Sequence, residues 1–161
     1  MFRFLFYTDK GKRIGALKET AIRENHLFAK AYAKGRKYVT ETVVLYVLPD
    51  YRAGKLKKEN PMKQTVNRLG LTVSKKTGNA VIRNRCKRVM REAYRAADKK
   101  RRIKRGFLIV LVARDAAARK KAYEVERDLT EALNGVQLFE GMGQVFPKKP
   151  SMPIHKAKDG R

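Results

Sequence analysis

Between Ser74 and Arg95 the chain reads SKKTGNAVIRNRCKRVMREAYR: a lysine pair, a Gly-Asn turn, then a segment dense in arginine. Plotted as a helix at about 100° per residue, the segment divides in two. Cys86, Val89, Met90, Ala93, Tyr94 and Ala97 gather on one side, and Asn84, Lys87, Arg88, Arg91 and Arg95 on roughly the opposite side. Such a helix carries a core-facing stripe and a cationic stripe. A row of guanidinium forks suits a polyphosphate backbone, because each fork donates two parallel hydrogen bonds to one phosphate. The usual fate of a charged helix face is solvation. Here residues 75–105 hold fourteen Lys and Arg against two acids, Glu92 and Asp98. Pairing within the helix cannot neutralise that excess, which favours contact with a polyanion.

A second group is aromatic. Phe28 and Tyr32 stand four apart on one helix face, and Tyr46 alternates to one face of a strand. Core packing is the ordinary reading of such residues; left open, their rings would stack unpaired bases largely irrespective of sequence. Groups for protein-borne catalysis are missing. The acids are scattered, whereas a protein nuclease needs carboxylates for metal ions or an activated base. His26 and His155 are far apart and have no Cys or His companions, so no zinc site is expected. Cys86, the single cysteine, lies on the apolar stripe and reads as a small buried hydrophobe. No intramolecular disulfide is possible, which fits a reducing compartment.

The elements that must position these groups follow from composition and pattern. With 40 Lys and Arg against 15 Asp and Glu, the 161 residues carry a formal charge of +25. A compact chain so charged repels itself, and a polyanion relieves the repulsion. Nucleic acid is the leading partner and an anionic membrane surface the alternative. A hydrophobic content of 43% supports a real core, and the length suits one domain with tails. Nothing approaches the run of about 18 apolar residues of a membrane span, and MFRFLFY is too short and too broken by Arg3 for a signal peptide.

Residues 1–16 read as an N-terminal extension and 17–140 as the folded domain. Asn25 is the expected N-cap of a first helix and Gly35 its close. Val39 to Leu48 is a strand, 50–67 a long basic surface loop, and Leu69 to Val73 a second strand. Thr77-Gly78-Asn79 turns into the basic helix, roughly 80–99, followed by the cationic connector Lys99 to Arg105. Phe107 to Ala113 is an unbroken apolar run, typical of a strand covered on both faces. Residues 119–134 form a last helix with Ala122, Val125, Leu129, Ala132 and Leu133 inward. From 141 to 161 the composition is that of a basic disordered tail. Strands interleaved with helices predict an α/β or α+β sandwich containing a βαβ-like unit, whose default crossover is right-handed.

The block Arg83-Asn84-Arg85-Cys86-Lys87-Arg88, preceded by Ser74-Lys75-Lys76 and Gly78-Asn79-Ala80-Val81 and followed by Arg91-Glu92-Ala93-Tyr94-Arg95, closely resembles the protein subunit of bacterial ribonuclease P. Ile22 to Phe28, with Tyr32 and Gly35, resembles the family's first helix, Val44 to Leu48 its early strand, and Leu108 to Arg114 its last strand. The match spans roughly 22–138; the extension, the 50–67 loop and the tail lie outside it.

The resemblance implies an α+β fold: a mixed four-stranded sheet against about three helices, with a left-handed βαβ crossover and one further short strand near Tyr38–Glu41. It implies a subunit of an endoribonuclease that removes the 5′ leader of precursor tRNA. The RNA subunit holds the catalytic Mg2+ and performs the chemistry, and no protein residue is catalytic or metal-binding. It implies RNA contacts from Ser74, Lys75, Lys76, Arg83, Asn84, Arg85, Lys87, Arg88, Arg91 and Arg95, and a leader cleft lined by Phe28, Tyr32 and Tyr46. Asn84 is otherwise a helix-start residue, and Ser74 to Lys76 otherwise merely end a strand. The implied partners are ribonuclease P RNA and precursor tRNA in the bacterial cytoplasm, with no membrane and no obligate protein partner. The rivals are a ribosomal-type or RNA-chaperone protein and a membrane-surface protein.

Overall fold

The computed structural model describes residues 6–7, 13–14, 19–59, 65–143 and 145. The apolar run Phe107–Ala113 is strand β7, and it occupies the middle of the fold. Its elements in chain order are β1 (Phe6–Tyr7), β2 (Arg13–Ile14), β3 (Thr20–Ala21), α1 (Asn25–Lys34), β4 (Arg36–Val39), β5 (Val43–Pro49), α2 (Tyr51–Glu59), β6 (Arg68–Val73), α3 (Ala80–Lys100), β7 and α4 (Ala122–Gly135). The dipeptides β1 and β2 pair antiparallel. The remaining strands form a mixed sheet in the order β3-β6-β7-β5-β4. β7 runs parallel to β6 and antiparallel to β5, so β6, α3 and β7 make the expected βαβ unit between neighbouring strands.

Both faces of the sheet are covered, which is why β7 needs no polar alternation. On one face α3 and α4 pack over Val43, Leu45, Val47, Leu69, Ile109 and Leu111. On the other, Leu27 and Ala31 of α1 pack with Ile22 over Leu48, Leu108 and Val110. All six residues of the apolar stripe of α3 are buried, and so are Val125, Leu129, Ala132 and Leu133 of α4. Ala122 is exposed, because α4 begins there and its first turn overhangs the core.

Several expectations are corrected. The α+β class holds, but among the described residues the sheet has five strands rather than four, the fifth being the two-residue β3, and there are four α-helices. Val39 to Leu48 is not one strand: Thr40–Thr42 turn the chain between β4 and β5, and the further short strand is Arg36–Val39. Glu24, not Asn25, occupies the N-cap position of α1, with no capping bond from its side chain; its carboxylate is held by Arg52 and Arg68 instead. Gly35 does close α1, at φ −72°. It is required by close approach, since a Cβ would lie 2.3 Å from Ala31 O. The 50–67 stretch is partly helical, because Asp50 Oδ1 accepts from Arg52 N (3.1 Å) and Ala53 N (3.4 Å) and starts α2 despite Gly54. The domain also continues past residue 140, since Val145 is buried in the main core. Most of the 141–161 tail and of the N-terminal extension lies outside the described residues.

One buried ion pair joins three of these elements. Arg68 donates to Asp50 through Nε (2.6 Å) and Nη2 (2.8 Å) and reaches Glu24. Burial pushes the Asp50 carboxyl up, but the hydrogen bonds and charge of Arg68 outweigh it and hold the pKa below its ordinary 3.8. A lowered folded-state value means that the unfolded chain binds more protons, so the stabilisation is complete above pH 3.8 and is lost as pH falls through the lower folded value. Asp50→Ala should cost about 3 kcal/mol, because it leaves a largely buried guanidinium with only the longer Glu24 contact at 3.5 Å, and Asp50→Asn should blunt the acid limb of the stability curve. Urea unfolding across the acid range checks both; a loss within error would mean that the pair is solvated.

Candidate nucleic-acid interface

The cationic stripe is positioned by helix α3 and by what holds that helix in register. Asn79 caps it, accepting from Ile82 N at 3.0 Å, so the helix-start role suggested for Asn84 belongs to Asn79. Ser74 caps the 3-10 turn Lys75–Thr77 through a bond from Lys76 N (3.2 Å), leaving Lys75 and Lys76 exposed beside the helix start. At the far end Tyr94 is buried and its hydroxyl accepts from Asn67 Nδ2 at 3.0 Å. Burial drives its pKa up to about 12 despite that bond, so the phenol stays neutral.

With the apolar stripe buried, the predicted cations emerge on the other side but are not equivalent. Asn84, Arg88 and Arg91 are exposed, and Arg83 and Lys87 half-buried. Arg88 lies 4.0 Å from Glu92, a solvent-exposed pair that holds the guanidinium weakly. Among the described residues, Arg83, Lys87 and Arg91 have no carboxylate within ion-pair distance. Arg85 instead donates to Ala118 O (2.9 Å), fastening α3 to the 3-10 turn Asp115–Ala118. Arg95 pairs with Glu19 at 2.8 Å, so its charge is partly answered within the chain. The connector Lys99 to Arg105 is less open than its composition suggests. Arg101 lies over the Phe139 ring, Lys104 donates to Gln137 O and Met142 O, and Arg105 pairs with Asp98.

The three aromatics come together on the α1 face of the sheet. The rings of Tyr32 and Tyr46 meet edge-on, centroids 5.0 Å apart at 75°, a favourable quadrupole arrangement. Tyr32 Oη is 3.1 Å from Thr72 Oγ1, and Lys37 lies over the Tyr46 ring. Phe28 rests on Gly70, where an added Cβ would fall 2.5 Å from its Cε1. The aromatics grade from core to surface: Phe28 and Tyr46 are half-buried against the α1 core, while Tyr32 is 41% exposed. Helix α1 covers the Leu48, Leu108 and Val110 end of this face. Val44, Val112 and Thr72, one step along the same register, remain partly open, with Val39 exposed at the edge. Gly70, Thr72, Lys37 and Val39 were not singled out from the sequence; only the glycine inside a strand carries a signal, that of a close approach. Among the described residues no group of three His, Cys, Asp or Glu side chains could hold a metal ion. Cys86 is buried, and burial pushes its thiol up; His155 lies outside the described residues.

The sequence model of the family described as Ribonuclease P matches residues 17–137. The ribonuclease P protein component of Clostridium botulinum (strain 657 / Type Ba4) is 34% identical over 124 residues, covering 76% of this chain and 99% of that protein. The component of Clostridium acetobutylicum is 33% identical over 73% of this chain and 89% of its own length. Among solved structures, a Staphylococcus aureus RNase P protein superposes with a TM-score of 0.61 at 29% identity, covering 76% of this chain and 99% of that one. The Thermotoga maritima RNase P protein shares the fold, with a TM-score of 0.55 at 24% identity, over 71% of this chain and 94% of its own. The chain belongs to the ribonuclease P protein family.

The contact of Phe28 with Gly70 is testable by a double-mutant cycle. Gly70→Ala should displace the ring and cost about 1–3 kcal/mol by overpacking. In a Phe28→Ala background the same change should cost far less, because the clash is gone. Additive losses in urea unfolding would mean that the ring does not rest on the glycine.

Proposed function

We propose that this protein acts as the RNA-binding subunit of ribonuclease P, holding the RNA subunit with the cationic face of α3 and the single-stranded 5′ leader of precursor tRNA with the Phe28/Tyr32/Tyr46 cleft. The observation that carries the reading is that α3 is core on one side and, on the other, cation that the chain's few carboxylates answer only in part. Arg83, Lys87 and Arg91 stand free of carboxylates among the described residues, and Lys75 and Lys76 are exposed at the same end of the helix. Ser74 and Asn84 add hydrogen-bonding capacity there. Phosphate contacts from such a face fix position without reading sequence.

In the cleft, Tyr32 offers an open ring already braced by Tyr46 and Thr72. Stacking on it tolerates any base, which suits an enzyme that meets many leaders. The chain's own part is binding and orientation. Hydrolysis is assigned to the RNA subunit, and Mg2+, which supports that hydrolysis, would be held mainly by RNA. The compartment expected of this role is the bacterial cytoplasm; no helix among the described residues is long and apolar enough to cross a membrane.

Reconstitution with a bacterial ribonuclease P RNA tests the reading. At low magnesium, cleavage of precursor tRNA should need both components, and robust cleavage by purified protein alone would overturn it. Arg91→Ala should weaken binding to the RNA subunit and reduce the log–log salt slope by about 0.7–0.9; an unchanged slope would return Arg91 to solvent. Tyr32→Ala should weaken precursor tRNA by roughly tenfold, on the scale of one stacked base. It should leave mature tRNA and the thermal midpoint nearly unchanged.

A further inference from the structure

Helix α2 carries a second aromatic among cations, on the opposite flank of α1 from the cleft. Tyr51, its first residue, is 70% exposed. Lys30 reaches it from α1, with Nζ 5.2 Å from the ring centroid. Lys30 is two residues from both Phe28 and Tyr32 and therefore points to the other side of their helix. Arg52, Lys55 and Lys58 are exposed on α2. Their acidic neighbours hold them loosely: Arg52 lies 3.4 Å from Glu24, which also serves Arg68, and Lys55 lies 4.0 Å from Glu59. Exposed pairs at such distances contribute little and yield readily to a phosphate. The fold does not need the ring, since the buried contacts at this corner are those of Asp50 and Arg68.

We infer that Tyr51, with Lys30, Arg52, Lys55 and Lys58, forms a second subsite for unpaired RNA, which takes the part of the 5′ leader that has crossed α1 beyond the cleft. The inference rests on the cleft reading above. An open ring face suits an unpaired base, whereas a duplex keeps its bases stacked inside. The cations around the ring suit the flanking phosphates. The separation from Tyr32 is about one helix diameter, roughly 10–12 Å, a step that one strand can bridge. Structured RNA of the catalytic subunit offers the same chemistry, and the experiment distinguishes the two sources.

The test uses the reconstituted holoenzyme and two precursor tRNAs, one whose leader ends within the cleft and one several nucleotides longer. Tyr51→Ala should weaken the longer precursor by roughly tenfold and leave the shorter one unchanged. The exposed pair Lys55→Glu/Lys58→Glu should do the same and flatten the salt dependence of the longer precursor alone. This pair keeps the test decisive if Tyr51→Ala fails to fold. No loss, equal loss for both leaders, or weakened binding of the RNA subunit alone would overturn the α2 subsite. Tyr32→Ala separates the two readings. Loss for both leaders with Tyr32→Ala, but for neither with the α2 variants, leaves the cleft standing without the extension. No loss for either leader with Tyr32→Ala overturns both.

Discussion

Asn67, fully buried just before β6, joins both ends of the crossover that carries the cationic helix. Its Nδ2 donates to Tyr94 Oη (3.0 Å) and to Lys104 O (2.8 Å), and its Oδ1 accepts from Phe107 N (3.0 Å). Its backbone carbonyl accepts from Thr20 N and so places β3 as well. Hydrophobic packing alone sets which stripe of α3 faces inward, but it is non-directional. A hydrogen bond from a buried amide to Tyr94 fixes the roll and the depth of the helix. Those two quantities decide where the arginines emerge. Loss of the amide would leave the Phe107 N–H and the Lys104 carbonyl without that partner in the interior, each a costly omission.

The same economy governs charge. The interior cannot hold unpaired ions, and the chain has few acids. The structure engages them where they fasten elements together. Asp50 takes Arg68, Asp98 takes Arg105 and the Ile103 N–H, and Asp128 takes the Thr42 N–H and hydroxyl at the β4–β5 turn. Glu124 accepts the Lys121 N–H at the start of α4. What remains on the free side of α3 is cation with little to answer it. Solubility and attraction to a polyanion follow from one distribution of charge, and the fold tolerates the repulsion because it is spread along a helix whose other side is buried.

Periodicity made some of this legible and left the rest hidden. The stripe of α3 was readable because six apolar positions recur at one angle, and β7 because seven apolar residues run without a break. The split of Val39 to Leu48 was not readable, since Thr40 and Thr42 are good strand residues whose turn is set by Asp128, distant in sequence. Helix α2 was masked by its glycine and lysines, while its cap, Asp50, looked like the end of a strand. Asn25 is already the first helical residue of α1, and Glu24 at the N-cap position turns its carboxylate to Arg52 and Arg68 rather than to the helix N–H groups. Arg95 was indistinguishable from its neighbours on a helical wheel, and nothing local marked Arg85 as a fastener. Glu19 and Ala118, which engage them, lie 76 and 33 residues away in sequence.

The aromatic cleft differs from the cationic face in what folding has already settled. An exposed arginine must lose side-chain freedom to bind. Phe28 and Tyr46 have lost theirs in the core beneath α1, and Tyr32 is braced by a ring contact and a hydroxyl contact. Gly70 completes the arrangement by letting Phe28 lie against the strand itself. A base stacked there, as proposed, would meet a surface with little left to order, and such preorganisation raises affinity by cutting the cost of binding. In the same proposal the α3 face would draw a phosphate backbone toward the chain over a distance set by salt. In the proposed function the aromatic group, fixed to the other side of the same sheet, would discriminate unpaired from paired strand at contact. Because both are anchored to β6, one through Gly70 and Thr72 and the other through Asn67, their separation is set by the sheet rather than by a linker.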